Sequence, residues 1–317
     1  MNKKINLILA AALLISVIFV SCKKTDTSST DDSATVTELK AHSDDQAQVS
    51  NEIDAVADDA NNLLEASGGS MNGRGTNQGR PTNPPGLCGA TWTFDTVGTH
   101  RTVTITYDSS LCGNHRRKGT VVISLTNGLH WASAGAVLTI TANLKISRES
   151  DHKSIVIQGI KTITNTSGGR MRDLLIPPHA QIVHDIASSG ITVTFDNGTS
   201  RTWQIAKHRV FTYNNGIVIT TTGTHTDGTT TGISEWGTNR LGHPFVTAIT
   251  QPLVVRQDCA FRLTSGQVTH SRLSANVVVT FGLDQNGVAT SCPAGVYYFK
   301  AVWTNANGVV RTYILPY

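Results

Sequence analysis

From Leu87 to Tyr317 the chain alternates apolar and polar side chains with a period of two. In Thr102–Tyr107 (TVTITY) the residues Val103, Ile105 and Tyr107 fall on one side and three threonines on the other. The same pattern returns in Leu138–Thr141, Ile191–Phe195 and Val277–Phe281. A strand turns successive side chains to opposite faces, so each run has one face for a core and one for water. Turn signals separate the runs: Thr126-Asn127-Gly128, Asp196-Asn197-Gly198, Asn214-Asn215-Gly216, Asp227-Gly228, Gln285-Asn286-Gly287 and Asn307-Gly308. Asn-Gly and Asp-Gly pairs between such runs are strong hairpin signals. More than a dozen strands are expected, with no helix beyond residue 70 except a short turn near Met171–Leu175. The expected fold is all-β and antiparallel, either a hairpin-rich sandwich or an extended twisted meander. Low charge (15%) and few aromatics (6%) suit that class.

The first residues give an address. Met1-Asn2-Lys3-Lys4 precedes an apolar run from Ile5 to Val20 and then Ser21-Cys22. A basic start, an apolar core and a small residue before the cut make a secretory signal. The Val20-Ser21-Cys22 ending resembles the lipobox of bacterial lipoproteins, in which the cysteine is diacylated and becomes the first mature residue. Residues 1–21 are therefore expected to be removed, with Cys22 lipidated and the membrane as a partner. Each buried methylene adds about 0.8 kcal/mol, so two chains hold far better than one.

Residues 22–34 read as a flexible tether. Within 35–67, Val49, Ile53, Val56, Ala57, Ala60, Leu63 and Leu64 recur at three- and four-residue steps, which predicts an amphipathic acidic helix. Docking of its apolar stripe on the β domain is the expected use of that helix. Gly68-Gly69 ends the pattern, and 68–86 is a Gly/Pro linker. The β domain is 87–317.

Four cysteines follow Cys22, an even number in an exported chain. Three pairings are open; Cys88–Cys112 and Cys259–Cys292 are favoured because each pair brackets a strand run. The order Cys88, Val103–Tyr107, Cys112 echoes Cys259, Val277–Phe281, Cys292. Two related β lobes and the shared grammar of pinned hairpins explain this echo equally well.

Charge is divided. Asp26–Glu65 holds eleven acidic residues and one basic, Lys40, whereas Gly86–Tyr317 holds nineteen Lys and Arg against eleven Asp and Glu, a net +8. These basic residues are scattered apart from Arg116-Arg117-Lys118, a candidate binding cluster, and no nucleic acid is expected as a partner. Nucleophile-elbow, P-loop, dinucleotide and His-Glu-x-x-His motifs are all missing. Glu149, Asp151, Asp185, Asp196, Asp227, Glu235, Asp258 and Asp284 are the carboxylates a hydrolase would draw on, and they fall mostly in turns. His179, His184 and Asp185, or His225 and Asp227, could begin a metal site but give no third ligand at a known spacing. Neither a metal nor a cofactor is expected. Of Trp92, Trp131, Trp203, Trp236 and Trp303, core burial is expected for most; Trp236, in a polar setting, is the candidate exposed ring for a glycan or protein ligand. The threonine-rich runs are read as ordinary outward-facing strand residues.

The order of motifs is itself informative. After the lipobox and acidic helix come Cys88-Gly-Ala-Thr, Thr104-Ile-Thr-Tyr-Asp108, Arg117–Ile123 (RKGTVVI), Glu235–Arg240 (EWGTNR), Ile249–Leu253 (ITQPL) and the last cysteine pair. This order resembles a group of β-rich lipoproteins common in Bacteroidota for which no activity is known. The resemblance implies an outer-membrane or cell-surface home and transfers no catalytic residue. Lys23-Lys24-Thr25 precedes the first acidic residues, which leaves the periplasmic and surface sides both open. The function expected is a non-catalytic envelope lipoprotein with a structural or adhesive role. A polysaccharide-acting hydrolase and a hydrophobic-ligand carrier are the alternatives.

Overall fold

The computed structural model describes residues 52, 87–97, 100–125, 130–272, 275–290, 292, 295–304 and 308–317. The expected signal, Cys22, the tether, the linker and the acidic helix lie outside these residues, except for Glu52, whose backbone is helical. Sixteen strands follow: β1 Ala90–Val97, β2 His100–Cys112, β3 His115–Leu125, β4 Ala136–Arg148, β5 Ser154–Asn165, β6 Ile182–Ser188, β7 Ile191–Phe195 and β8 Ser200–Tyr213. Then come β9 Ile217–Gly223, β10 His225–Asp227, β11 Thr230–Thr238, β12 Pro244–Arg256, β13 Arg262–Arg272, β14 Ala275–Leu283, β15 Tyr298–Thr304 and β16 Val310–Pro316. The expected turn at Met171–Leu175 is a short 3-10 helix whose start is fixed by Asp173 accepting from the Arg170 N–H at 2.8 Å. No helix among the described residues is long and apolar enough to cross a membrane.

All strands join one antiparallel sheet in chain order, β1 to β16, which is the meander of the two expected arrangements. Two positions in this order are shared by broken strands. β6 pairs with the second half of β5 and β7 with the first half, so the two lie end to end around Ser189-Gly190. In the same way β9 and β11 lie end to end between β8 and β12, and β10 is a short excursion paired only to β11. Asp196–Gly198, Asn214–Gly216, Gly228 and Gln285–Gly287 fall in turns between strands, while Thr126–Gly128 and Asn307 lie outside the described residues. At Asn214-Asn215-Gly216, Asn215 takes φ 55° and Gly216 φ 142°, conformations that suit asparagine and glycine.

The register puts the apolar side chains on one face, called inner below. Ile105, Val121 and Ala142 stand directly opposite one another across β2, β3 and β4, and Trp203, Gly237 and Phe245 across β8, β11 and β12. One cluster runs from Val103 in β2 to Ile205 in β8 and includes Phe245. A smaller one, around Leu174, Ile182, Phe211 and Ile217, closes one end of the sheet. A third holds Leu263, Phe281 and Phe299 in the C-terminal strands. The favoured cysteine pairs are both formed, with Cα–Cα separations of 5.8 Å for Cys88–Cys112 and 5.7 Å for Cys259–Cys292.

Candidate functional site

The opposite, outer face carries mainly hydroxyl and amide groups. Thr91, Thr106, Thr120, Asn143, Gln158, Thr192, Thr202 and Thr238 form one row, each directly opposite the next, across β1, β2, β3, β4, β5, β7, β8 and β11. Neighbouring strands lie about 4.8 Å apart, so the row spans about 34 Å. Its members partly satisfy one another: the Thr202 and Thr238 hydroxyls are 2.9 Å apart, and the Gln158 amide donates to Asn143 Oδ1 at 3.3 Å. This row carries no charge.

Trp236 stands beside the end of the row. In β11 it is cross-strand from Gln204 in β8 and Val246 in β12, two residues before Thr238 and on the same face. The ring is half-buried. His225 in β10 stacks on it with ring centroids 4.0 Å apart and planes 13° from parallel. The β10 excursion lays an imidazole against the indole, in register beside Gln204 and close to Thr202 and Thr238. An apolar ring edge next to uncharged donors and acceptors is suited to a neutral hydroxylated ligand.

Other residues of the Glu235–Arg240 stretch serve the fold. Glu235 turns inward and pairs with the Lys207 ammonium. Asn239 is buried, and its Oδ1 accepts from the N–H groups of Leu241 and His243 at 2.9 and 3.0 Å, shaping the turn into β12. Arg240 lies over the Phe195 ring at 3.9 Å.

Strand alternation separates the basic triplet. Arg116 and Lys118 share the outer face, where Arg116 Nε meets Glu149 Oε1 at 2.5 Å and its Nη1 donates to the Ser109 carbonyl. Arg117 turns inward to Glu52, with Nη2 to Oε2 at 3.1 Å. Alternation likewise parts the histidine grouping. His184 is buried between Trp131 and Phe211, with ring centroids at 5.2 and 5.1 Å. Asp185 faces outward and holds His208 at 2.6 Å. His179 stacks on Tyr213 at one end of the sheet. Burial, helped by the nearby Arg209 and opposed by Asp185, pushes the His184 pKa down to about 4, so this ring is neutral. Asp258 lies near Cys259 and Cys292, but those sulfurs are bonded to each other and Asp258 is held by Arg256 at 2.7 Å.

Two of the remaining candidate acids are tied. Asp151 is held by Arg148, and Asp284 accepts from the N–H groups of Asn286 and Val288. Backbone donors hold the Asp284 carboxyl below its ordinary range. Trp131, Trp203 and Trp303 are buried, as expected for core rings.

Sequence reading missed the polar band on the inner face. There His184 faces Arg209, which faces Thr221, and Glu235 faces Thr247, which faces His270. The signal was present in β8: the parity that buries Trp203 and Ile205 also turns Lys207 and Arg209 inward. Comparison with family models, curated proteins and solved structures finds no match to the chain.

Proposed function

We propose that the chain is a lipid-anchored envelope protein, attached through Cys22 to the outer membrane, whose sheet is a non-catalytic adhesive platform for a neutral glycan. The observation that carries this reading is the uncharged outer row ending beside the Trp236–His225 stack. Long rows of hydroxyl and amide groups with an aromatic edge match the repeating hydroxyls and apolar ring faces of a sugar chain. A broad face, with most carboxylates engaged by arginine, lysine or turn amides, favours retention of a ligand over its cleavage.

The test is a glycan array probed with the mature chain and its Trp236→Ala variant. Binding that weakens about tenfold or more in the variant supports the reading, because an aromatic anchor lost from a site commonly costs at least that much. An array left blank at low salt by both proteins would sink it. Anchoring is tested separately by labelled fatty acid, which should enter the wild type and not Cys22→Ser. Protease shaving of intact cells then distinguishes the surface from the periplasmic side.

A further inference from the structure

The acidic stretch before the sheet and the inner face of the sheet are complementary, and one residue of that stretch is already seated. Glu52 is 5% exposed. Its Oε2 accepts from Arg117 Nε and Nη2 at 3.3 and 3.1 Å, and His115 Nε2 lies 3.5 Å from Oε1. Arg117 also sits over the Tyr107 ring at 5.9 Å, which fixes its direction. A carboxylate is carried out of water only when it is paired. Glu52 and Arg117 are 65 residues apart in sequence, so this contact is tertiary.

A groove beside Glu52 is lined by Ile140, Ala142, Leu144, Ile157, Gly159, Lys161 and Ile191. Within it Ala142 and Gly159, two small residues, stand opposite each other across β4 and β5. Gly159 cannot be enlarged, since a Cβ there would lie 2.7 Å from the Gly190 carbonyl. Glu52 comes three residues after Val49 and four before Val56, so in a helix it borders the apolar stripe of Val49, Ile53, Val56 and Ala60.

We infer that the inner face over β3–β5 is the dock for this chain's own acidic segment, residues 49–64. The Glu52–Arg117 pair sets its register, and its apolar stripe fills the Ala142–Gly159 groove. Charge complementarity favours this occupant: residues 49–64 carry four acidic residues and no lysine or arginine, and the face bears Arg117 and Lys161. The consequence rests on the anchoring proposed above. From Cys22 to Leu87 the free chain would be about 65 residues, but from Cys22 to Glu52 only about 30. A flexible chain of those lengths reaches about 44 and about 30 Å. Docking therefore sets how far the sheet stands from the membrane.

The experiment is hydrogen exchange on the unlipidated mature chain (Cys22→Ser), so its outcome does not depend on anchoring. Four proteins are compared: the parent, Glu52→Arg, Arg117→Glu and the double swap. In the parent, amides of 49–64 should exchange more slowly than those of 23–34. Each single reversal should speed them by about tenfold or more, and the swap should restore much of the protection. Glu52 lies outside the sheet, so its reversal leaves the sheet folded, and amides of β2–β8 in the same run check this. Exchange in 49–64 as fast as in 23–34 in the parent, or unmoved by Glu52→Arg, would overturn the inference.

Discussion

The N-terminal strands β2–β8 and the C-terminal strands β13–β16 are written with the same alternation, yet they bury very different amounts. Among the described residues the first region gathers twenty-one buried residues in one cluster, joined by Phe245 of β12, while the last gathers three, with Val268, Val279, Ala301 and Leu315 only partly covered. The last region compensates with other devices. Phe281, Phe299 and Tyr317 form an aromatic group with centroids 5.8–6.3 Å apart. The Tyr317 hydroxyl donates to the Leu263 carbonyl and accepts from the Gly282 N–H, and the Cys259–Cys292 bridge closes the loop between β12 and β15. Alternation tells which face turns inward; how much lies against that face decides the stability of each part.

This contrast can be broken at several points. Trp203, 2% exposed in the large cluster, is the severest test. Trp203→Ala should cost about 3–5 kcal/mol in urea unfolding and loosen β2–β8 as a unit. A loss confined to β8 would show that the cluster is not one cooperative body. Replacing Cys259 and Cys292 by serine should cost about 3–4 kcal/mol in the chain-entropy account. Hydrogen exchange should show that loss first in β13–β16, and an equal loosening of β2–β8 would erase the difference between the regions.

The third test uses acid. His184 has a pKa of about 4 in the fold against an ordinary 6.5. The unfolded chain therefore takes up a proton between about pH 6.5 and 4 that the folded chain refuses, and stability falls as pH drops through that window. The loss should approach about 3 kcal/mol by pH 4. His184→Phe should remove this component, and an acid slope unchanged in the variant would refute it. The smallest effect belongs to the C-terminal region, where burial raises the Tyr317 pKa to about 12. Tyr317→Phe leaves the Gly282 N–H and the Leu263 carbonyl without this partner and should cost about 1–2 kcal/mol, seen as faster exchange at Gly282.

Much of the sheet was legible because alternation and turn chemistry are local. Thr102–Tyr107, Leu138–Thr141, Ile191–Phe195 and Val277–Phe281 all lie within strands, and Asp196–Gly198 and Asn214–Gly216 turn the chain. The break at Ser189-Gly190 and the β10 excursion were less so, because pairing along β5 and β8 decides whether two short runs share one position. At the site, Trp236 is expected from its polar neighbours to be the exposed ring and is half-buried instead, because its partner His225, which only the hairpin register reveals, covers it. Arg116-Arg117-Lys118 looked like a cluster only as a string of letters; in a strand its middle member faces the other way. The Glu52–Arg117 contact carries no local signal at all.

The order of the sheet has a consequence for how the molecule is made. Among the described residues every pairing joins strands no more than three places apart in chain order, as β8 with β11 and β9 with β12, and no late strand inserts between two early ones. A chain threaded outward from its N-terminus can therefore complete each hairpin as it emerges, with short loop closures throughout. The strands that emerge first are those of the largest cluster, so the growing chain gains its firmest part before its last residues arrive.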